Sequence, residues 1–405
     1  MFKYKLLCAG VLVFCLSNLV AFKTLCQQKT GKYQVGVYYF PNYHFDKRNQ
    51  QRLGKDWTEW KLIKEAKPRF PGHDQPKIPL WGYTDEADPR VMAQKINAAS
   101  SHGINAFIFD WYYYNDGPFL ETGLENGFMK AKNRDKMKFA IMWANHNWLD
   151  IFPATHGKAG KQLYPGVITP DTWNKMTDYI ITKYFKNPSY WKINNSPYFS
   201  VYDLANFISI FGTTEKAAKA IVEFRKKTIA AGFRDLDMNA VLWQSTTLPG
   251  TNTVALPNEV VKKLGFNSVS SYVWIHHTVL DHFPTLNYDT IKNRYFKYAL
   301  NAFKTLSVPY YPNVSMGWDP TPRTNQSTPW GNYGYPYTPV IVGNTPAAFK
   351  KALFEARTML DKYARGPKVL TINSWNEWTE GSYIEPDNVH KFQYLDAIKA
   401  VFGTK

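Results

Sequence analysis

Cysteine is nearly absent. All three residues, Cys8, Cys15 and Cys26, fall within the first 26 of 405 positions, so the rest of the chain can form no internal disulfide and no cysteine-based metal site. It must be held by its core. Long apolar runs are also missing beyond residue 21, and none approaches the ~20 residues of a membrane span. No transmembrane span is therefore expected in the mature chain. Neither GxGxxG nor GxxxxGK[ST] follows any expected strand, and Gly157-Lys158-Ala159-Gly160-Lys161 has the wrong spacing for a phosphate loop. His146 lacks a second His or Cys at ligand spacing, so no metal and no other cofactor is expected. Acidic residues are outnumbered 49 to 32, for a formal charge of +17, yet Lys and Arg are scattered with no basic arm or stripe. That distribution excludes a nucleic-acid partner. It leaves open a solvated basic surface or one that meets an anionic glycan bearing sulfate, phosphate or uronate groups.

Aromatic side chains, by contrast, are abundant. They make up 17% of the chain, with 14 Trp and 27 Tyr, more than a core needs within a hydrophobic content of 44%. Some of these rings are expected to face a ligand. Residues 1–26 read as an export segment: Lys3 and Lys5 precede an apolar run from Leu6 to Val20, followed by a small residue at Ala21. The mature protein is thus expected in the periplasm, outside the cell or on its surface. Cys26 invites a lipid anchor, although Lys23, Thr24 and Leu25 lack the small residue that such a signal places before its cysteine.

From residue 27 to 405 the chain alternates strand and helix. Strands are expected at 33–44, 104–114, 137–148, 196–203, 236–244, 266–274 and 308–319, and at the apolar run of Val369, Leu370 and Ile372 that opens the stretch 369–387. Helices fall between them near 89–101, 121–133, 171–185, 214–231, 257–264, 288–306 and 346–363, and one more closes the chain at 389–402. Eight such units imply parallel pairing with helical crossovers, and predict a single (β/α)8 TIM barrel over an open doubly wound sheet. Long loops at 45–87, 145–169 and 318–344 then stand on the C-terminal face, where function-bearing loops of barrels gather. Asp235-Leu236-Asp237 has a metal-holding form but precedes a strand, at the opposite end, and reads as turn chemistry.

The strand tips carry the chemistry. The eighth ends in Asn376-Glu377-Trp378-Thr379-Glu380-Gly381, a pair of carboxylates beside Trp378, Tyr383 and Glu385. Glycosidic bond cleavage needs such a pair, one carboxylic acid for the leaving oxygen and a second carboxylate as base or nucleophile. Glu377 and Glu380 are the catalytic candidates. The other tips offer Tyr39, Asp110, Trp111, Tyr112, Trp143, Asn145, His146, Tyr202, Trp274, Trp318 and Asp319, nearly every one an aromatic beside a polar group. With Asn376, Trp378, Tyr383 and Glu385 they form the candidate substrate-binding set, because aromatics gathered at one end of strands with aliphatic interiors resemble a sugar cleft.

Four segments then resemble the glycoside hydrolase family 99-like proteins, including the WbsX-like group often labelled glycosyltransferases. These are YYFPNYH (38–44) with WTEW (57–60) and AKPRFPGHDQPKIP (66–79), MWANHNW (142–148), GWDPTPR (317–323) and SWNEWTEGSYIEPD (374–387). The resemblance implies a barrel, a carbohydrate substrate and retaining hydrolysis without a metal. It also implies that Glu377 acts as base on the substrate's own 2-hydroxyl, giving a 1,2-anhydro sugar, and that Glu380 is the acid/base at the leaving oxygen. His146 departs from the pattern, since WbsX-like chains typically carry Glu there. The alternatives are a sugar-nucleotide-dependent transferase, disfavoured by export, and a non-catalytic carbohydrate-binding barrel, which should have lost one of the two glutamates.

Overall fold

A computed structural model describes residues 33–245 and 253–403. The export segment expected at 1–26 lies outside the described residues. Eight parallel strands form the centre: β1 Gln34–Tyr39, β2 Ala106–Tyr114, β3 Lys138–Trp143, β4 Ser196–Val201, β5 Asp237–Val241, β6 Ser268–Ser270, β7 and β8 Val369–Asn373. β7 is split into Tyr310–Tyr311 and Asn313–Ser315. The break falls at Pro312, which has no N–H to give the ladder. Its first half pairs with β6 (Val269↔Tyr310), its second with β8 (Asn313↔Thr371), and β8 pairs with β1 (Gln34↔Val369). The ring therefore closes as a (β/α)8 TIM barrel.

Each strand is followed by a helix: α1 Pro89–Ser100, α2 Gly123–Phe128, α3 Pro170–Ile180, α4 Thr214–Ala230, α5 Pro257–Leu264, α6 Tyr288–Thr305, α7 Pro346–Tyr363 and α8 Gln393–Phe402. Local chemistry starts several of them. Asp88 caps α1 by accepting from the Arg90 backbone N–H, with Pro89 in the first turn, and Thr345 caps α7 in the same way through Ala348. The α2 segment is a short π-helical turn, wider than the α-helix expected there. Among the described residues no helix is long and apolar enough to cross a membrane.

The barrel interior departs from the aliphatic expectation. Ser200 and Ser270 each donate to Asn239 Oδ1 (2.9 and 2.8 Å), Asn239 Nδ2 donates to Ser268 (3.0 Å), and Asn313 donates to Thr371 (3.2 Å). Small polar side chains fit the narrow axis and satisfy one another, while Val, Ile and Phe on the alternate positions face the helices. Asp235 pairs with Arg225 just before β5, at the N-terminal end of the barrel. The long loops after β1, β3 and β7 lie at the opposite, C-terminal face.

Candidate active site

Beyond β8 the chain turns through a small hairpin. Asn376–Glu377 pairs antiparallel with Ser382–Tyr383, and a single 3-10 turn, Trp378–Glu380, joins them. Side chains three residues apart on such a turn eclipse one another, so Glu377 and Glu380 project the same way. The hairpin closes at Gly381 with φ 60°, where an added Cβ would come within 2.5 Å of the Asp319 side chain. Only glycine fits there without strain.

Both glutamates line a cavity at the barrel mouth. Asp110 and Tyr112 from β2, Tyr202 after β4 and Tyr272 after β6 share its polar wall. Phe40, Trp148, Ile151 and Phe152 supply an apolar one. This pairing of aromatic faces with convergent polar groups suits a sugar ring.

A single guanidinium ties the acids together. Arg323 donates through Nη2 to Glu377 Oε2 (3.2 Å) and Glu59 Oε1 (3.1 Å), through Nη1 to Glu380 Oε1 and Tyr335 (2.5 Å each), and through Nε to Thr379 (3.0 Å). Tyr335 also donates to Glu380 Oε1 (2.8 Å), which leaves Oε2 without a protein donor among the described residues. Tyr272 OH lies 2.8 Å from Asp110 Oδ2 and 3.2 Å from Glu377 Oε1. Burial raises all three carboxyls, Glu377 and Asp110 well above the usual range. Repulsion from Glu380 adds to Glu377, while Arg323 opposes the rise at both glutamates. Burial alone would lower Arg323, but Tyr335, Glu380, Glu59 and Glu377 reverse this and hold it charged. Burial also pulls His146 down to about 4, so its imidazole is neutral, with Nδ1 on the Asn147 carbonyl (3.0 Å).

Of the residues expected at the site, Glu377, Glu380, Asp110, Tyr112, His146 and Tyr202 line the cavity together. The others stand behind it. Strand alternation explains three: Phe40, Asp110, Tyr112, Met142 and Ala144 face inward, so Tyr39, Trp111 and Trp143 turn toward the helices. There Tyr39 donates to Glu86 (2.8 Å), Trp111 donates to Tyr184 (3.0 Å), and Trp143 packs on Trp173 of α3. Trp274 is fixed by the Asn313 carbonyl (3.0 Å) and Trp318 by Thr338 (2.9 Å). Asn145 is spent on the backbone of Asp203, to which its side chain both donates and accepts. Asp319 accepts from Gln75 Nε2 (2.7 Å) and contacts His73 Nε2 (2.8 Å), anchoring the β7 loop to the β1 loop.

Asn376, Trp378, Tyr383 and Glu385 frame the hairpin. Asn376 bonds the Phe40 backbone on both sides (2.8 and 2.7 Å). Trp378 stacks on Tyr383 at 3.7 Å and donates to Glu385 (2.9 Å), which pairs with buried Lys95 (2.9 Å). Sequence reasoning gave no role to Arg323, Glu59, Tyr272, Tyr335 or Trp148. Arg323 ends GWDPTPR and Glu59 sits within WTEW, and a buried carboxylate pair on β8 calls for a cation from adjacent β7.

Comparison with known proteins agrees with this architecture. The fold matches a GH99 endo-alpha-mannosidase from Bacteroides thetaiotaomicron with TM-score 0.55 and 15% identity, covering 91% of this chain and 95% of that one. It also matches a structure described as a glycoside hydrolase-like protein, with TM-score 0.57 and 15% identity over 93% and 95% of the two chains. In sequence it is 23% identical over 384 residues to the uncharacterized protein WxcX of Xanthomonas campestris pv. campestris. That alignment covers 94% of this chain but 51% of the relative, so the chain spans about half of WxcX. A family described as glycosyltransferase WbsX matches residues 35–398, and the chain belongs to that family.

Proposed function

We propose that the protein is an exported, retaining glycoside hydrolase in which Glu377 and Glu380 perform the chemistry. The observation that carries the reading is the placement of two buried carboxyls on one turn, both lining the cavity and both held by Arg323. Burial raises both carboxyls, so the pair can retain a proton for the reaction. A 2-hydroxyl donating to Glu377 favours its ionised form, and a glycosidic oxygen beside Glu380 Oε2 is positioned to take a proton. In the first step O2 bonds to C1 as the glycosidic C–O bond breaks. The 2-hydroxyl proton passes to Glu377, and the proton of Glu380 leaves with the departing oxygen. Water then adds to C1, giving its proton to Glu380, while O2 recovers its proton from Glu377. Both carboxyls return to their starting states. The 2-hydroxyl route is carried over from the family resemblance of the Asn-Glu-Trp-x-Glu-Gly motif.

The family's description supports a second reading, a sugar-nucleotide transferase. Charge disfavours it. Arg323 is the cation among the lining residues, its donors are already engaged, and Glu377, Glu380 and Asp110 would repel a diphosphate. For the same reason, anionic groups on a glycan would be met outside the cavity.

The test is a screen of the protein against glycans with and without added sugar nucleotides, following the first product by proton NMR. Release with the anomeric configuration of the substrate is expected. Inversion would remove the retaining mechanism, and turnover only with a sugar nucleotide would establish the transferase. Fractionation of the full chain in the cytoplasm would remove export.

A further inference from the structure

We infer that Asp110 holds a resident proton and, through the hydroxyl of Tyr272, keeps Glu377 in its ionised form. Its role as a positioning residue rests on the hydrolytic reading above, in which Glu377 is the base.

Strands β2 and β6 stand opposite each other in the ring, and Tyr272, just after β6, reaches across to the tip of β2. Its buried ring packs against Tyr38 at 4.7 Å and Tyr202 at 5.4 Å, which fixes where the hydroxyl lies. That hydroxyl meets two carboxyls, Asp110 Oδ2 at 2.8 Å and Glu377 Oε1 at 3.2 Å. A phenol has a single hydrogen to donate. When both acids are ionised, two negative oxygens compete for it. When one is protonated the chain is satisfied, because the neutral acid donates to the phenol oxygen and the phenol donates to the ionised acid.

Which acid is neutral follows from their other oxygens. Glu377 Oε2 accepts from Arg323 (3.2 Å), so a charge there has a cation and, with Tyr272, two donors. Asp110 forms no ion pair among the described residues, and its Oδ1 is buried with no hydrogen-bond partner among them. A charge at Asp110 would be left uncompensated, whereas the neutral acid needs only its O–H answered, and Tyr272 answers it. The surroundings agree. From β1, β2 and the turn after β4, the titratable groups facing Asp110 are the phenols Tyr38, Tyr112 and Tyr202. From the hairpin they are Glu377 and Glu380, and Arg323 of the β7 loop is spent on those two glutamates and Glu59. Glu377 also faces Tyr43 and Glu59 of the β1 loop, and His146 lines the same cavity as a neutral imidazole. Burial pushes Asp110 and Glu377 above the usual range, and the direct contact with Arg323 opposes that rise at Glu377.

The consequence for the reaction is local. Asp110 keeps its proton throughout, Tyr272 gives its hydrogen bond to Glu377 Oε1, and Glu377 is ready to accept the proton of the 2-hydroxyl. An ionised Asp110 would draw the Tyr272 hydrogen to itself, and the base would lose a donor. With Asp110 neutral, Glu59 and Glu377 still outnumber Arg323, so the site keeps the sign that turns a diphosphate away.

The proton is read on the protein without substrate, labelled with carbon-13 at the side-chain carboxyls of Asp and Glu and titrated by NMR. The Asp110 signal is the one lost in Asp110→Asn and displaced in Tyr272→Phe; the Glu377 signal is the one lost in Glu377→Gln. Expected are a protonated Asp110 at neutral pH and a Glu377 midpoint that Asp110→Asn, a copy of the neutral acid, leaves in place. Tyr272→Phe should raise that midpoint by about 1–2 pH units, the worth of a hydrogen bond to a charged group. On the glycan identified by the screen, the acid limb of kcat/KM in Tyr272→Phe should move to higher pH by the same amount, because the base must be ionised to act. An ionised Asp110 at neutral pH, a Glu377 midpoint that falls in Asp110→Asn, or one that stays in place in Tyr272→Phe would overturn the inference. Absence of hydrolysis in the screen would overturn the role given to Asp110 in the reaction, while the carboxyl signals would still decide where the proton resides.

Discussion

Two buried charge clusters flank the hairpin after β8, and they differ in what surrounds them. Behind it, Lys95 Nζ lies 2.7 Å from Glu86 and 2.9 Å from Glu385, all three inaccessible to solvent or nearly so. Tyr39 and Asn376 also donate to Glu86, and Trp378 to Glu385, leaving only Glu86 Oε2 without a partner. In front, Arg323 faces Glu59, Glu377 and Glu380 at once, with Asp110 nearby and a cavity alongside. The rear cluster nearly balances its charges and fixes Asn376 and Trp378, the neighbours of Glu377. The front cluster has a surplus of carboxyls that only protons or a ligand can relieve, which is the condition expected of reacting groups. Composition is alike in the two clusters; surplus charge and access separate them.

The largest effect should come from the front. Glu377→Gln is expected to lower turnover by about 10²–10⁴-fold for good and poor leaving groups alike, and a 2-deoxy substrate should fail with the unaltered enzyme. Near-normal activity of the variant would remove Glu377 from catalysis, and ready cleavage of the 2-deoxy sugar would eliminate the neighbouring-hydroxyl route. The rear cluster should answer in stability. Lys95→Met leaves Glu86 and Glu385 buried without their cation, at a cost of about 3–5 kcal/mol in urea unfolding. Adding Glu86→Gln should recover part of that loss. An unchanged unfolding midpoint in Lys95→Met would show that the rear cluster is not structural.

A smaller effect depends on pH. Burial raises Glu377, Glu380 and Asp110 in the folded protein, so the folded state binds their protons more tightly than the unfolded chain does. Their contribution to stability is full below the unfolded carboxyl range and falls as pH rises through the raised values. Glu377→Gln removes that alkaline penalty. It should melt above the unaltered protein at alkaline pH, with the gap closing on acidification, and a gap independent of pH would contradict the assignment.

The barrel was legible because its signals are repetitive: eight apolar runs, each bounded by a cap or a glycine, with Asp88-Pro89 and Gly103 marking α1 as cleanly as any. The proposed reacting pair drew attention for the opposite reason, as a local oddity in which two carboxylates end a buried strand. What lay between was harder to read. Tip residues such as Trp111 and Trp143 look like sugar platforms in the sequence, yet the period-two alternation that admits Asp110 and Tyr112 turns them outward. Arg323 and Glu59, 264 residues apart, meet only because β7 and the β1 loop share the barrel mouth. No local pattern marks that meeting. The split of β7 at Pro312 was visible as a proline, but its consequence, closure of the ring through two half-strands, depends on both neighbours.

The central claim is that Glu380 delivers a proton to the leaving oxygen, and the leaving-group dependence of Glu380→Gln tests it most directly. Aryl glycosides with strongly acidic phenols need little protonation, whereas natural glycosidic oxygens need it in the transition state. Expected is a loss of about 10²–10⁴-fold on the natural linkage, with activated aryl glycosides cleaved at a rate much nearer that of the unaltered enzyme. Equal loss on both, or no loss on either, would contradict the role given to Glu380.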